Sequence, residues 1–257
     1  MTQSFTQIDR DHMLGLEKGL AVIACFDSAH ARLTSADVAR LTGLTRATAR
    51  RCLITLERTG YAETDGRYYR LTPRVLKLGY AYLSSTPLNA VLQTVLERLS
   101  EAIGESSSAS ILDGDEIVYV ARAATKRIMS VGISVGTRLP ATCTSMGRVL
   151  LAALPQPEAL ARVEAAPRRP LTVHTLTEVP AIMAALASAR EKGHAIIDQE
   201  LEIGLTSIAV PVIDSRGRTL AAINVGTQAN RFPPSALISD ILPRLKAAQD
   251  ELARLVG

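Results

Sequence analysis

The most informative residues for chemistry are small and polar, and they lead directly into an apolar helical pattern. Thr144 and Ser145 open that helix, and Met146 follows them. A helix start presents hydroxyls and unbonded backbone N–H groups at a positive dipole end, which suits a carboxylate. Met146 would add an adaptable apolar contact. Plain N-capping, with no ligand, is the alternative.

Cys143, in the same run, is a candidate nucleophile that the helix dipole could activate. The role requires a base, and nothing in the pattern marks His174 or His194 as one. We favour a buried structural cysteine and predict no catalytic residue. A hydrolase that uses Cys143 or Ser145 stays as an alternative.

Three acidic residues, Asp198, Glu200 and Glu202, cluster near His194 as metal ligands could. Alternating acids in a turn are usually solvated, and the chain shows neither GxGxxG after a strand nor a P-loop. We therefore predict no metal and no cofactor.

Other polar residues are candidates for a binding pocket. Ser207 opens a buried strand, and Asn224 interrupts an apolar run and needs a hydrogen-bond partner if it is buried. Three arginines could pair with an acidic ligand or form surface ion pairs: Arg122, Arg127 and Arg138.

The positive charge is concentrated in one part of the chain. The net charge is +4 over 257 residues, but residues 40–77 carry nine basic and three acidic side chains, and residues 81–257 are neutral. A basic segment beside a neutral remainder favours an anionic partner for one domain. A solvated basic surface is the alternative.

The first third predicts a winged helix-turn-helix. This module begins with a predicted amphipathic helix, whose buried stripe would be Leu16, Leu20, Ile23 and Ala24. Two short helices joined at Gly43 follow it, and Asp65-Gly66 predicts a hairpin wing. The third helix would enter the major groove by its first turn. The predicted DNA-contacting residues are Thr34, Thr45, Arg46, Ala47, Thr48, Arg50 and Arg51, with Arg67 and Arg70 on the wing.

The rest of the chain mixes hairpins with helices, which predicts an α+β fold with a mixed or antiparallel sheet. We place a DNA-binding domain at 13–72, a linker helix at 73–85 and a second domain at 86–257. Residues 128–131 are predicted as a strand, and a terminal helix is expected to bend at Pro243.

Composition bounds the class of protein. With 47% hydrophobic and 21% charged residues, the chain is expected to be a soluble globular protein. No apolar run is long enough to span a membrane, and we see no secretory signal. Three widely separated cysteines favour neither disulfides nor a zinc site, so we expect a cytoplasmic protein.

Taken together, these motifs resemble the isocitrate-lyase-regulator (IclR) family of bacterial transcription factors. The resemblance rests on residues 16–23, 41–53, 145–151 and 198–211 and on Asp65-Gly66. It implies a winged helix, a linker helix and an effector-binding domain similar to the GAF fold. It also implies a homodimer or a dimer of dimers on a palindromic double-stranded DNA operator.

By position, the resemblance implies an effector pocket bordered by Thr144, Ser145, Met146, Ile197, Asp198, Ser207, Asn224 and Gly226. The run 137–147 looks most like the subgroup that regulates aromatic-acid catabolism through β-ketoadipate, which implies a small organic acid as effector. A constitutive DNA-binding dimer, whose second domain only oligomerises, is the alternative.

Overall fold

The computed structural model describes residues 12–27, 29–85, 87–125 and 132–256. The chain forms two compact units, Met1–Tyr82 and Leu83–Gly257. The boundary between them falls within one helix, Leu76–Ser85. Arg127 and the strand predicted at 128–131 lie outside the described residues.

The first unit contains three helices and a two-stranded hairpin. The helices are α1 (Leu14–Ala24), α2 (Ser35–Thr42) and α3 (Arg46–Arg58), and the strands are β1 (Ala62–Thr64) and β2 (Tyr69–Leu71). β1 and β2 pair antiparallel. A 3-10 turn at Pro73–Val75 leads into α4 (Leu76–Ser85).

Local signals fix the ends of α2. The Thr34 hydroxyl accepts from the backbone N–H of Asp37, while the Asp37 carboxylate accepts from the backbone N–H of Thr34, which completes a capping box. Gly43 ends the helix with φ +69°, a left-handed conformation that glycine adopts without a steric penalty. The predicted helix-turn-helix is confirmed.

The predicted buried stripe of α1 is wrong. Leu16, Leu20 and Ala24 are exposed and Ile23 is half-buried, whereas Val22 is completely buried. The core of this unit is formed by Val22, by Leu33 just before α2, and by side chains from α2, α3 and β1, namely Val38, Ala49, Leu53, Leu56 and Ala62. The segment is helical as its spacing predicts, but α1 packs on that core through the face that carries Val22.

The second unit is built on one six-stranded sheet. Its strands are β3 (Ser106–Asp113), β4 (Glu116–Ala123), β5 (Arg138–Pro140), β6 (Ala195–Asp198), β7 (Leu205–Ile213) and β8 (Thr219–Gln228). They lie in the order β5-β4-β3-β8-β7-β6, and each described pair is antiparallel. The predicted α+β class is confirmed. The short β5 was not predicted.

Helices cover both faces of this sheet. The helices are α5 (Pro87–Ile103), α6 (Ser145–Ala153), α7 (Gln156–Ala165), α8 (Val179–Lys192), the single turn α9 (Pro234–Ala236) and α10 (Leu242–Leu255). Side chains of α5 and α10, such as Leu96 and Leu245, share one core with Ile208 and Ile223 of the sheet. Side chains of α6 and α8 share a second core with Tyr119, Ala209 and Ala222.

The C-terminal helical segment is interrupted near Pro243, where a bend was predicted. A π-helical stretch, Leu237–Ile241, lies directly before α10. Within the described ranges, none of the helices combines the length and hydrophobicity that a membrane span requires.

Candidate nucleic-acid interface and ligand pocket

The exposed face of α3 carries a group of arginines that forms no ion pair with the described residues. Arg46, Arg50 and Arg51 are exposed, as is Ala47. Thr45 caps the helix, because its hydroxyl accepts from the backbone N–H of Thr48 at 3.3 Å. The first half of α3 therefore presents three exposed cations beside a helix N-terminus, which is an arrangement that suits phosphate and base edges.

The two remaining threonines of the predicted DNA surface are already engaged within the protein. The Thr34 hydroxyl donates to the Asp37 carboxylate at 2.6 Å and also accepts from the Asp37 backbone. Thr48 is half-buried, and its hydroxyl accepts from Thr45 at 2.9 Å. Thr34 therefore caps α2, and Thr48 holds the side chain of Thr45, the residue that caps α3.

The wing presents its two arginines differently. Arg70 forms an ion pair with Glu63 across the hairpin at 2.6 Å. The Arg67 guanidinium lies 5.2 Å from the ring centroid of Tyr68, and Arg32 lies 5.0 Å from the same centroid. Arg32 also pairs with Asp65 in the turn, at 2.5 Å. These contacts order the wing and leave the charge of Arg67 without an acidic partner in the described part of the chain.

Strand register assembles a pocket in the second unit. Ile197, Ser207, Gly226 and Ser106 lie side by side across β6, β7, β8 and β3, because each is paired with the next. A second row joins Asn224, Ser108 and Arg122 across β8, β3 and β4. Residues that are distant in sequence thus share one face of the sheet. The pocket forms between this face and the start of α6.

Six of the eight predicted pocket residues line the cavity: Thr144, Ser145, Ile197, Ser207, Asn224 and Gly226. Within it, the Ser207 hydroxyl donates to that of Ser145 at 2.9 Å. The Asn224 side chain is buried and has no hydrogen-bond partner among the described residues, so its amide is available to a ligand.

Two predicted pocket residues lie elsewhere. Met146 is buried in the core beneath α6, where its sulfur accepts a hydrogen bond from Ser110. Asp198 is exposed, because the side chain that follows Ile197 must point to the other face of its strand. Both lie next in sequence to a residue that does line the pocket.

A β-bulge in β4 decides where Arg122 points. Two consecutive residues of β3 pair with Ala121 and Tyr119, so Val120 between these two is the extra residue. In a regular strand Tyr119 and Arg122, three residues apart, would lie on opposite faces. The bulge shifts the alternation, and both side chains line the pocket.

Arg122 supplies a positive charge to this pocket. One terminal nitrogen of its guanidinium donates to the Ser108 hydroxyl at 3.0 Å, and no carboxylate of the described residues pairs with it. Burial lowers the pKa of this half-buried guanidinium, although an arginine stays charged. Burial also raises the pKa of the neighbouring Tyr119 to about 12, so its phenol is neutral and can donate. A partly desolvated cation beside neutral donors suits a carboxylate.

Arg138, also considered for an acidic ligand, is occupied on the surface by Glu116 and Asp113 at 2.7 and 2.8 Å. The buried Arg148 of α6 pairs with Glu200 at 2.7 Å and donates to the Thr142 carbonyl at 3.0 Å. Glu200 is therefore an ion-pair partner. Among the described residues, no three His, Cys, Asp or Glu side chains are placed to hold a metal ion.

Cys143 lines the pocket as a buried thiol. Burial raises the pKa of this thiol to about 11, and the nearby Glu200 adds to the shift. The thiol is therefore protonated at neutral pH, which is unfavourable for a nucleophile.

Sequence reasoning missed Ser106, Ser108 and Tyr119 as pocket residues. One signal was available, because Ser106, Ser108 and Ser110 alternate along a strand and therefore share a face. No comparable signal marks Tyr119, whose placement beside Arg122 depends on the bulge.

Family models match both units. A model of the IclR helix-turn-helix domain matches residues 15–66, and a model of the bacterial transcriptional regulator IclR C-terminal domain matches residues 80–254. The chain belongs to the IclR family. The predicted resemblance is thereby confirmed.

Relatives of this IclR-family protein extend over nearly the whole chain. The Pca regulon regulatory protein of Pseudomonas putida is 46% identical over 251 residues, covering 97% of this chain and 86% of the relative. The crystal structure of a transcriptional regulator from Rhodococcus sp. RHA1 is 49% identical, has a TM-score of 0.82, and covers 95% of this chain and 98% of that one.

A third relative was solved with a ligand. It is a double mutant of the PobR inducer-binding domain from Acinetobacter in complex with 3-hydroxybenzoic acid. It is 34% identical, has a TM-score of 0.63, and covers 66% of this chain and all of that one. The predicted placement beside regulators of aromatic-acid catabolism is confirmed by these relatives.

Proposed function

We propose that this IclR-family regulator binds a palindromic operator in the cytoplasm and responds to a small aromatic carboxylic acid. In this proposal residues 13–72 bind DNA, residues 73–85 link the domains and residues 86–257 bind the effector. The observation that carries the effector assignment is Arg122, a half-buried cation that lines the pocket and has only a serine as side-chain partner in the described part of the chain.

The polar groups of the pocket define two ends for a ligand. Arg122, Ser108 and Tyr119 would hold the carboxylate, whereas Ser145, Ser207 and Asn224 offer hydroxyl and amide groups to a ring substituent. Ile197, Leu201 and Leu205 supply apolar contacts. The complex of the related PobR domain with 3-hydroxybenzoic acid supports this ligand class.

The pocket must widen to admit such a ligand. Its cavity volume is about 30 Å³, which is room for roughly one or two water molecules. A ring would push side chains apart, including the hydrogen-bonded pair Ser145 and Ser207. A ligand that favours the widened arrangement shifts the population of the regulator toward it, and through it can alter operator binding.

Calorimetric titration tests the effector class. The panel is benzoate, 3-hydroxybenzoate, 4-hydroxybenzoate, 3,4-dihydroxybenzoate and adipate. At least one aromatic acid should bind, and Arg122→Met should weaken it about 30-fold or more, which is about 2 kcal/mol.

Arg138→Met is the matched control, because this arginine is exposed and already paired with Glu116 and Asp113. Unchanged binding to Arg122→Met would refute the carboxylate anchor. Tight operator binding that no acid of the panel alters, together with no heat of binding, would favour the constitutive dimer instead.

We also propose that the chain acts as a homodimer, or as a dimer of dimers. Helices α1 and α4 expose apolar side chains to solvent: Leu14, Leu16 and Leu20 are 53–59% exposed, and Leu76 and Tyr80 are 73% and 70% exposed. Exposed apolar side chains at this density are typical of a surface that a second copy covers.

Sedimentation velocity tests this surface. The double variant Leu16→Lys/Leu20→Lys should lower the apparent mass and weaken operator binding at least tenfold, because two half-sites need two linked winged helices. Val173→Lys, an exposed position of the other unit, is the control. An apparent mass unchanged by the double variant would exclude α1 from the interface.

A further inference from the structure

Gln93 of α5 forms a two-point hydrogen-bonded contact with the backbone of Arg122. Its amide oxygen accepts from the Arg122 backbone N–H at 3.2 Å, and its amide nitrogen donates to the Arg122 carbonyl at 3.2 Å. The same nitrogen donates to Glu97, one turn further along the helix, at 2.8 Å. The donor and acceptor identities of the backbone fix the orientation of the amide.

At Arg122, this contact provides the hydrogen bonds that a neighbouring strand would provide. β5 pairs with β4 only at Glu116, Ile117 and Val118, and the backbone of Tyr119 is bonded to Gly136 and Thr137. Further along β4, the amide of Gln93 offers the same donor and acceptor that a peptide group of a strand would offer. It therefore satisfies both backbone groups of Arg122.

The contact lies immediately after the bulge at Val120. A bulge interrupts the ladder and leaves the strand locally less constrained. The face to which Arg122 points depends on that bulge being kept. Gln93 holds the backbone of Arg122 on the side of β4 that faces away from β3. It therefore fixes the strand register just after the point where the in-and-out alternation of side chains has changed.

We infer that Gln93 is a positioning residue for Arg122, which it holds with the guanidinium directed into the pocket. The inference rests on the proposed function, since Arg122 is the proposed carboxylate anchor. It assigns to a polar helix residue, one that does not line the cavity, a role in recognising the acid group.

The test compares an acid with its uncharged analogue. Binding of 4-hydroxybenzoate and 4-hydroxybenzamide is measured by calorimetry for the full-length wild type, Gln93→Met, Arg122→Met and the double variant. Methionine keeps the length and helix propensity of glutamine, and it removes both hydrogen bonds to Arg122 together with the one to Glu97. Thr94→Ala is the control, because among the described residues the Thr94 hydroxyl bonds only to Ala90 in its own helix.

We expect Gln93→Met to bind 4-hydroxybenzoate about tenfold more weakly, and 4-hydroxybenzamide within twofold of the wild type. The double variant should bind the acid no more weakly than Arg122→Met alone. An equal loss for acid and amide would indicate a general packing defect and overturn the inference, as would additive losses or no loss.

A ligand-free measurement separates this inference from the proposed function. Amide hydrogen exchange at Arg122 should accelerate in Gln93→Met and stay unchanged in Thr94→Ala, because the Gln93 amide oxygen accepts a hydrogen bond from that N–H. If the wild type binds neither compound, the proposed ligand class fails, and the exchange rate at Arg122 still decides whether Gln93 holds the strand. An unchanged exchange rate at Arg122 in Gln93→Met would overturn the inference that Gln93 holds this part of the strand.

Discussion

The two units of this protein differ in the environment of the arginines at their candidate functional sites. On α3, Arg46, Arg50 and Arg51 are exposed and form no ion pair with the described residues. In the second unit Arg148 is buried against Glu200, and Arg122 is half-buried at the pocket.

Solvent exposure decides which unpaired arginines point to a ligand. An exposed guanidinium is stabilised by water, so it can stay unpaired at little cost and remains available to phosphate. A desolvated guanidinium loses that stabilisation, so it needs either a protein carboxylate, as Arg148 has, or a ligand. This contrast distinguishes the DNA surface from the effector site.

The largest effect is expected where this contrast is strongest. Arg148→Met leaves Glu200 buried without its counter-charge and should reduce the free energy of unfolding by about 3–5 kcal/mol. Urea denaturation measures it. Arg70→Met breaks an exposed ion pair and should cost less than about 1 kcal/mol. Similar losses for both variants would remove the distinction between the units.

A second comparison uses one helical glycine from each unit. A Cβ at Gly147 of α6 would overlap the backbone of Ala141, whereas a Cβ at Gly19 of α1 would meet nothing within 4 Å. Gly147→Ala should lower the stability by up to about 3 kcal/mol, because a backbone segment must move. Gly19→Ala should be neutral or slightly stabilising, by up to about 1 kcal/mol, when it is measured in the Leu16→Lys/Leu20→Lys background, where no second copy covers α1.

Thermal unfolding followed by circular dichroism compares the two glycine variants. Gly147→Ala should also weaken effector binding, since Ala141 lies in the turn that leads to Cys143 and Thr144 of the pocket wall. Full stability in Gly147→Ala would contradict the close packing of α6 on that turn.

Along α3, the loss of sequence discrimination on removing an arginine should be larger near the start of the helix than at its end. Arg51→Ala should reduce discrimination between the operator and a mutated site by about 1–3 kcal/mol, because residues near the start of the recognition helix reach base edges. Arg58→Ala, at the last helical position, is the control and should keep the discrimination. Competition gel shifts measure both. Equal effects would show that α3 contributes charge without reading sequence.

The smallest effect is expected on the wing. Arg67→Ala should lower the slope of log K against log salt by about one, the loss of one phosphate contact. Arg70→Ala should change that slope less, because Glu63 already pairs with this guanidinium at 2.6 Å. Binding titrations over a series of salt concentrations give both slopes. The reverse order would place Arg70 on the DNA.

The sequence predicted local structure well in the first unit. Thr34 and Asp37 form the expected capping box, and Gly43 and Gly66 adopt left-handed conformations at the predicted turns. The prediction failed for α1, where Leu16 and Leu20 are exposed. Helical spacing shows which residues share a face, but the surface that covers this face is decided by contacts made elsewhere in the chain.

The pocket was predictable only in part. Thr144 and Ser145 line the cavity as a helix start predicts, and so does Ser207, which lies near the start of a buried strand. Met146 and Asp198 do not line it, since neighbours in sequence point to different faces of a helix or strand.

The class of protein, the winged helix with its basic recognition face, and the family were all predictable from the amino-acid sequence. These depend on caps, turns and charge spacing, which act over a few residues. That Arg122 shares a pocket with Tyr119, Ser145 and Asn224 emerged from the folded chain alone. Antiparallel register joins residues far apart in sequence, and a single extra residue in β4 reverses the face on which Arg122 lies.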